Sequence, residues 1–359
     1  MDSPPFVIHQ DEDVRPEAAG GRGQFEDRLR GRAVPREQHH AAEPGLLGQP
    51  THGFGQDASL ESHRQRLSRP DPHGAAVSGR RGSGLAVSGT QGATHGRRAR
   101  AGDPALAGEI ARAMARELRA AGFDSGLAPV LDCLSDPASV VIGDRAYGAD
   151  PAVVAACGRA FVQAALGAGL LPVAKHFPGH GRTPLDSHAT LPMVDATLAQ
   201  LEATELVPFR QALVEGCPAV LVAHVRYPAL DPDLPASLSP AVITGLLRRR
   251  LAFDGLVLSD DLEMRAVADG WGVAGAATRF LTAGGDLALV CRDGAAWTGA
   301  AGAIRHAADA GRVDLESARL RRVTLRDRVR ASGPPPPSSI IGCPEHRALA
   351  EDVRRRSAS

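Results

Sequence analysis

The sequence predicts an α/β fold, a (β/α)₈ barrel that is recognisable in part over residues 104–331. Helical and strand patterns alternate from residue 104 onward, with short loops between them. The strand patterns are apolar on both faces, as in a parallel sheet covered by helices. Each predicted strand also ends in a polar or thiol side chain, and a barrel of this kind places its active site at those ends.

The alternation continues through five consecutive strand–helix units. Amphipathic helices are predicted over 105–122, 152–168, 196–215, 240–251 and 264–283. Strands are predicted over 125–132, 170–177, 219–225, 255–260 and 286–291. Because a closed barrel of this type has eight strands, three strands are not accounted for by these units.

The residues that end the predicted strands indicate where a site would form. In chain order they are Asp132, Lys175 with His176, His224, Asp260 with Asp261, and Cys291. A doubly wound open sheet would place ligands at the same ends, but it usually carries a Gly-rich phosphate fingerprint, which is absent here. The barrel is therefore the favoured architecture.

The flanking segments differ in composition from the predicted barrel. Residues 1–103 are rich in Arg, Gly, His, Pro and Gln and lack apolar periodicity, so we expect disorder or a coding sequence translated out of frame. Residues 332–359 begin with the run SGPPPPSS, which predicts a stiff Pro-rich linker followed by a tail with one short helix.

The overall composition limits the class of partner. Lys plus Arg and Asp plus Glu number 41 each, so no net charge favours nucleic acid or an anionic membrane. The sequence has no signal-peptide pattern and no long apolar span, and its five cysteines have no pairing pattern. We therefore expect a cytoplasmic, monomeric protein with a small-molecule ligand and no cofactor. Lys175 is the only lysine, which suggests a site where arginine cannot replace it.

The stretch KHFPGHGRTPLDSH, residues 175–188, concentrates residues that carry chemistry. Three of its histidines, His176, His180 and His188, could bind zinc, but their spacing falls in a Gly/Pro-rich loop beside a cationic lysine. A phosphate cradle would need a helix directly behind the glycines. An acid/base pair fits better, since Asp186 could orient the imidazole of His188. On pattern alone, a pair that only tethers a surface loop remains an alternative.

A second candidate lies in the stretch GLVLSDDLEM, residues 255–264. Asp260 follows an apolar run and Ser259, so its carboxylate is expected at the mouth of the barrel. A carboxylate in that position can act as a nucleophile, a metal ligand or a general base. The alternative role is to cap the following helix, for which Asp261 is the better candidate.

Together these motifs resemble glycoside hydrolase family 3, and within it the bacterial β-N-acetylglucosaminidases. The resemblance covers about residues 104–331. It rests on the ordered stretches APVLD, IGDRAYGADP, KHFPGHGRTPLDSH and FDGLVLSDDLEM, with support from AHVRYPALDPDLPASLSP. The family fold is a (β/α)₈ barrel, and these stretches match its fourth to eighth strands. The resemblance therefore implies that the first three strands are missing or scrambled in this sequence.

The resemblance implies a retaining glycoside hydrolase that removes terminal β-linked N-acetylglucosamine from cell-wall muropeptides or chitooligosaccharides. It implies that Asp260 is the nucleophile and that His188, oriented by Asp186, is the acid/base. By the same resemblance, Arg145, Lys175 and His176 would bind sugar hydroxyls, and His224 would lie near the site. No metal ligand is implied. Because a histidine repels an incoming anion less than a carboxylate does, phosphate could compete with water for the glycosyl intermediate.

The sequence departs from the family before residue 104. An Asp-Gln-Glu-Gly-Gly signature should end the third strand, but the nearest text, residues 84–98, has Ser88 and Gly89 where the aspartate is expected. An incomplete barrel leaves open edges, so we expect this chain to be weakly active or inactive. The alternatives are a β-glucosidase or β-xylosidase of the same family, or an inactive sugar-binding remnant.

Overall fold

The computed structural model describes residues 7–8, 102–137, 139, 141–183, 187 and 190–358. Within them, six parallel strands form one sheet in the order β1-β6-β5-β4-β3-β2. The strands are β1 Val7–Ile8, β2 Ser125–Gly126, β3 Leu171–Phe177, β4 Ala219–Val222, β5 Leu256–Asp261 and β6 Leu287–Leu289. A parallel sheet with helices between its strands confirms the predicted α/β class and the partial barrel.

Nine α- and π-helices, counted over the same residues and apart from three short 3-10 helices, connect and flank the strands. They are α1 Pro104–Ala120, α2 Pro151–Gly167, α3 Leu198–Ala203, α4 Leu206–Val214, α5 Ala241–Arg250, α6 Arg265–Thr282, α7 Gly294–Asp309, α8 Leu315–Ala331 and α9 Pro344–Ala358. Of these, α5 is wound as a π-helix. Aspartates cap the starts of several helices, and both α1 and α2 begin with an Asp-Pro pair. The aspartate accepts backbone N–H groups there, and proline suits the first helical position.

The two faces of the sheet bury different sets of apolar side chains, because successive strand residues point to opposite faces. One face gathers Val173, Ala219, Leu221, Leu256, Leu258, Leu287 and Leu289, and Leu325 of α8 packs against this set. The other face contributes to the larger cluster, which includes Val220, Val257, Phe209 and Phe280. Both faces are thus buried, as the apolar strand patterns predict.

The first predicted strand is shorter than the sequence pattern suggests. Only Ser125–Gly126 of residues 125–132 is a regular strand, although Val130 still bridges Lys175 in parallel. Pro129 lies between the two pairings and has no backbone N–H to donate, so the ladder is interrupted. The bridge nevertheless brings the next residues, including Asp132, to the end of β3.

The predicted helix over 196–215 is two helices, α3 and α4, and the single helix was wrong. At the break, Thr204 has φ −125° and ψ −80°, outside the helical region. Glu205 is buried, and its Oε1 accepts from Arg182 Nε at 2.9 Å. The break therefore coincides with the insertion of a carboxylate beneath the loop that follows β3.

The C-terminal segment is more ordered than a linker with a short helix. Helix α9 has 15 residues, and it packs on α1. His346 Nδ1 lies 2.7 Å from Glu117 Oε1, which also accepts the Gly342 N–H at 2.9 Å. Arg119 Nη2 donates to the Gly333 carbonyl at 2.7 Å. These contacts attach residues 333–346 to the first helix of the barrel.

Across the part of the chain that the structure describes, no helix is both long enough and apolar enough to span a bilayer. The segment for which the sequence predicts no fold contributes β1, whose Val7 and Ile8 pair with Ala288 and Leu289. The other calls on residues 1–101, including Ser88 and Gly89, lie outside the described residues.

Candidate active site

The carboxyl ends of the strands bring most of the predicted site residues together. Lys175 and His176 lie near the carboxyl end of β3. Asp260 lies at the end of β5, and His224 follows β4. Asp132 joins them because the Val130 bridge holds its segment against β3. Because the strands are parallel, their carboxyl ends lie at the same edge of the sheet. Residues that are far apart in the chain therefore form one polar cluster there.

Asp260 is the carboxylate at the centre of this cluster. Burial alone would raise the pKa of its carboxyl, but the electrostatic interactions with His176, His224 and Lys175 outweigh burial and hold the pKa below its ordinary value. The backbone N–H of Asp261 also donates to Asp260 Oδ1 at 2.9 Å. The carboxylate is therefore ionised at neutral pH, which is the form that a nucleophile requires.

Lys175 is a half-buried cation that interacts electrostatically with this carboxylate. Burial and the nearby positive charge of Arg145 lower its pKa from 10.5 to about 8, while Asp260 and Asp132 act in the opposite direction. Arg145 is itself held by the Val141 carbonyl, to which its Nε donates at 3.2 Å. Arg145 is thus close enough to Lys175 for its charge to lower the pKa of the lysine. With a pKa of about 8, Lys175 remains mostly protonated at pH 7.

His176 is oriented by a carboxylate to which the sequence analysis assigned no role. Its Nδ1 lies 2.6 Å from Asp132 Oδ2, and its backbone N–H donates to Asp132 Oδ1 at 3.3 Å. Burial alone would raise the pKa of Asp132, but the interactions with His176 and His180 lower it overall. An ionised Asp132 fixes the proton on Nδ1 of His176 and leaves Nε2 for another partner.

His224 is fully buried, and both of its ring nitrogens contact protein atoms. Nε2 lies 3.0 Å from the Asp261 carbonyl and Nδ1 lies 2.7 Å from Ser237 Oγ. Since a carbonyl only accepts, Nε2 carries a proton. His224 thus connects the end of β5 to the loop after β4.

The predicted acid/base pair, Asp186 and His188, lies outside the described residues. Ser187 between them is described and buried. Its Oγ is 3.1 Å from His180 Nε2, and its carbonyl accepts the Ala266 N–H at 3.3 Å. The midpoint of the Asp-Ser-His tripeptide is therefore attached both to the loop after β3 and to the start of α6.

Two glycines allow the backbone of the loop after β3 to lie very close to neighbouring segments of the chain. Gly179 has φ +137°, and a Cβ on Gly181 would lie 1.8 Å from the Cys133 carbonyl oxygen, which no side chain could tolerate. The Tyr227 hydroxyl donates to the Gly179 carbonyl. These contacts hold His180 between the strand ends.

Sequence reasoning missed the roles of Asp132, His180 and Ser187 in this arrangement. Asp132 was visible as a strand-end carboxylate, but its partners lie 44 and 48 residues further along the chain. His180 was considered only as a zinc ligand. No group of three His, Cys, Asp or Glu side chains with metal-binding geometry occurs among the described residues, a set that leaves out His188.

Comparison with known proteins identifies the family. The sequence profile of the "Glycosyl hydrolase family 3 N terminal domain" matches residues 88–325, which is more than half of the chain and begins before residue 104. The β-hexosaminidase of Hydrogenovibrio crunogenus is 42% identical over 188 residues, which cover 52% of each chain. That of Thiobacillus denitrificans is 45% identical over 186 residues, covering 52% of this chain and 51% of the relative. The chain thus spans about half the length of the curated relatives it matches.

Solved structures agree with this result. A glycoside hydrolase family 3 β-N-acetylglucosaminidase from Paenibacillus sp. is 37% identical with a TM-score of 0.69, over 73% of this chain and 52% of that one. A glycosyl hydrolase family 3 member from Mycobacterium smegmatis is 35% identical with a TM-score of 0.60, over 70% of this chain and 76% of that one. With the profile match and the strand-end cluster, these relatives show that the chain belongs to glycoside hydrolase family 3.

Proposed function

We propose that the chain is a retaining β-N-acetylhexosaminidase. The observation that carries the proposal is an ionised Asp260 at the end of β5, within the electrostatic reach of Lys175, His176 and His224. The names of the relatives support N-acetylhexosamine as the sugar that is released. Two relatives are β-hexosaminidases, and one solved structure is a β-N-acetylglucosaminidase. The proposed substrates are muropeptides or chitooligosaccharides with a terminal β-linked N-acetylglucosamine.

The proposed mechanism has two displacements at the anomeric carbon. In the first, the Asp260 carboxylate attacks that carbon while His188 donates a proton to the departing glycosidic oxygen. In the second, His188 takes a proton from water, which attacks the same carbon and releases Asp260. Asp186 would hold the imidazole of His188 in one tautomer and stabilise its protonated form.

We assign the cations of the cluster to sugar binding. Lys175 and Arg145 would donate to sugar hydroxyls, and His176 would offer its Nε2, since Asp132 occupies Nδ1. His224 would act from behind, by fixing the carbonyl of Asp261 next to the nucleophile. Residues 104–331 would form the catalytic domain of a cytoplasmic monomer, with residues 332–359 as an appended segment.

Hydrolysis of p-nitrophenyl β-N-acetylglucosaminide by the purified full chain tests this proposal. Asp260→Ala should abolish turnover. A matched control is Asp254→Asn, because Asp254 is an exposed carboxylate that precedes the same strand at its opposite end. Turnover that survives Asp260→Ala would contradict the assignment. Sugar binding by the wild-type chain without turnover would favour the inactive remnant instead.

A further inference from the structure

We propose that His180 is a positioning residue that connects the sugar-binding end of β3 to the loop that carries the acid/base. This inference rests on the proposed function, in which His188 is the acid/base. It assigns a role to two buried groups, His180 and Ser187, that the mechanism above does not use. The geometry that supports it is a continuous chain of contacts from Asp132 through His180 to Ser187.

Asp132 is the first link in this chain and holds two histidines at once. Its Oδ2 pairs with His176 Nδ1 at 2.6 Å, and its Oδ1 accepts the His180 backbone N–H at 2.6 Å. The carboxylate is fully buried, so these donors replace its water shell. The positions of the sugar-binding His176 and of His180 are therefore set by the same group.

The His180 ring is the second link, and its surroundings keep it neutral. It is 2% exposed, and burial together with the positive charge of His176 lowers its pKa to about 4. Within the described residues its Nδ1 has no hydrogen-bond partner, whereas Nε2 lies 3.1 Å from Ser187 Oγ. A buried N–H without an acceptor is rarer than a buried acceptor without a donor, so the proton is on Nε2 and is donated to Ser187.

Ser187 is the third link, and it stands between the two residues of the proposed acid/base pair. Its Oγ accepts a hydrogen bond from His180 Nε2 at 3.1 Å, and its carbonyl accepts the Ala266 N–H at 3.3 Å. Asp186 and His188 are the residues bonded to Ser187 on either side, so we infer that the anchoring of Ser187 is passed on to them. A misplacement of about 1 Å in a reacting group can reduce a rate about 100-fold. The contact between His180 and Ser187 thus bears on proton transfer.

The inference is tested with the full chain by comparing two aryl N-acetylglucosaminides that differ in their leaving group. A 2,4-dinitrophenolate departs without a proton, whereas a 4-methoxyphenolate needs one from the acid. In His180→Leu, kcat/KM for the methoxyphenyl N-acetylglucosaminide should fall about 100-fold. For the dinitrophenyl substrate it should change less than about threefold, because glycosylation of Asp260 no longer depends on the acid.

Matched variants separate positioning from folding. His180→Gln keeps an N–H donor of similar reach and should restore most of the methoxyphenyl activity. His306→Leu removes an exposed histidine on α7 and should have no effect. Ser187→Ala should reproduce the leaving-group dependence of His180→Leu, and the double variant should be no worse than either single variant if the two act as one unit.

Hydrogen exchange gives a reading that does not depend on activity. In His180→Leu, amides of residues 181–190 should exchange faster, while those of β5 keep their wild-type protection. Unchanged exchange in 181–190 would overturn the inference, as would equal losses on both substrates. If the wild-type chain hydrolyses neither substrate, the proposed function fails, and the exchange measurement still decides whether His180 anchors the loop.

Discussion

Replacing Lys175 by methionine should stabilise the fold while it removes a proposed sugar-binding group. Burial and the charge of Arg145 reduce the pKa of Lys175 from 10.5 to about 8, so the folded state disfavours its charged form. One pKa unit corresponds to about 1.36 kcal/mol, so the cost of keeping the ammonium in place at pH 7 is about 3 kcal/mol. Methionine has a similar length and no charge, and it should recover most of that free energy.

The pH dependence gives the sign of this effect. Between pH 8 and 10.5 the unfolded chain binds more protons at this site than the folded chain does, so the free energy of unfolding of the wild type rises with pH. The advantage of Lys175→Met should therefore be complete below pH 8 and disappear by about pH 10.5. Urea unfolding of both proteins at pH 7 and pH 10.5 measures it directly.

Lys175→Arg is the control for charge. A guanidinium is not deprotonated in this range, so the arginine variant should lack the rise in stability between pH 8 and 10.5. An advantage of Lys175→Met that is absent at pH 7, or equally large at pH 10.5, would refute the assignment of a half-buried cation with a lowered pKa.

Three further predictions concern other parts of the site. Asp132→Asn removes a charge that raises the pKa of Lys175, so the pKa of this side chain, followed by NMR of the only lysine in the sequence, should fall; a rise would contradict the electrostatic assignment. Gly181→Ala should destabilise the chain by several kcal/mol in thermal unfolding, because its Cβ would overlap the Cys133 carbonyl, whereas Gly167→Ala meets nothing within 4 Å and should be neutral. Added phosphate should yield N-acetylglucosamine 1-phosphate from the glycosyl intermediate, and chromatography that finds only free sugar would limit the acceptor to water.

The strand ends were predictable from the sequence because they combine two local signals. An apolar run followed by a polar residue marks both the strand and its carboxyl end, as in the positions of Lys175, His176 and Asp260. The parallel order then follows from the helices between the strands. Fold class and most of the strand-end cluster could thus be predicted from the sequence.

The remaining features depend on contacts between distant segments. The break between α3 and α4 arises where Glu205 turns inward to meet Arg182, 23 residues earlier, which no helical period shows. Asp132 likewise meets its histidine partners only after β3 is in place. Local propensity cannot report such tertiary pairings, so the link through His180 to Ser187 was not predictable.

In the proposed mechanism, Asp260 forms a covalent bond to the anomeric carbon of the sugar. A 5-fluoro N-acetylglucosaminyl fluoride should glycosylate the enzyme faster than water releases it, and the trapped adduct can be located by mass spectrometry of proteolytic peptides. We predict one added sugar on Asp260 in the peptide that spans β5, and none in Asp260→Ala. A label on another carboxylate, or rapid turnover with no adduct at all, would contradict it.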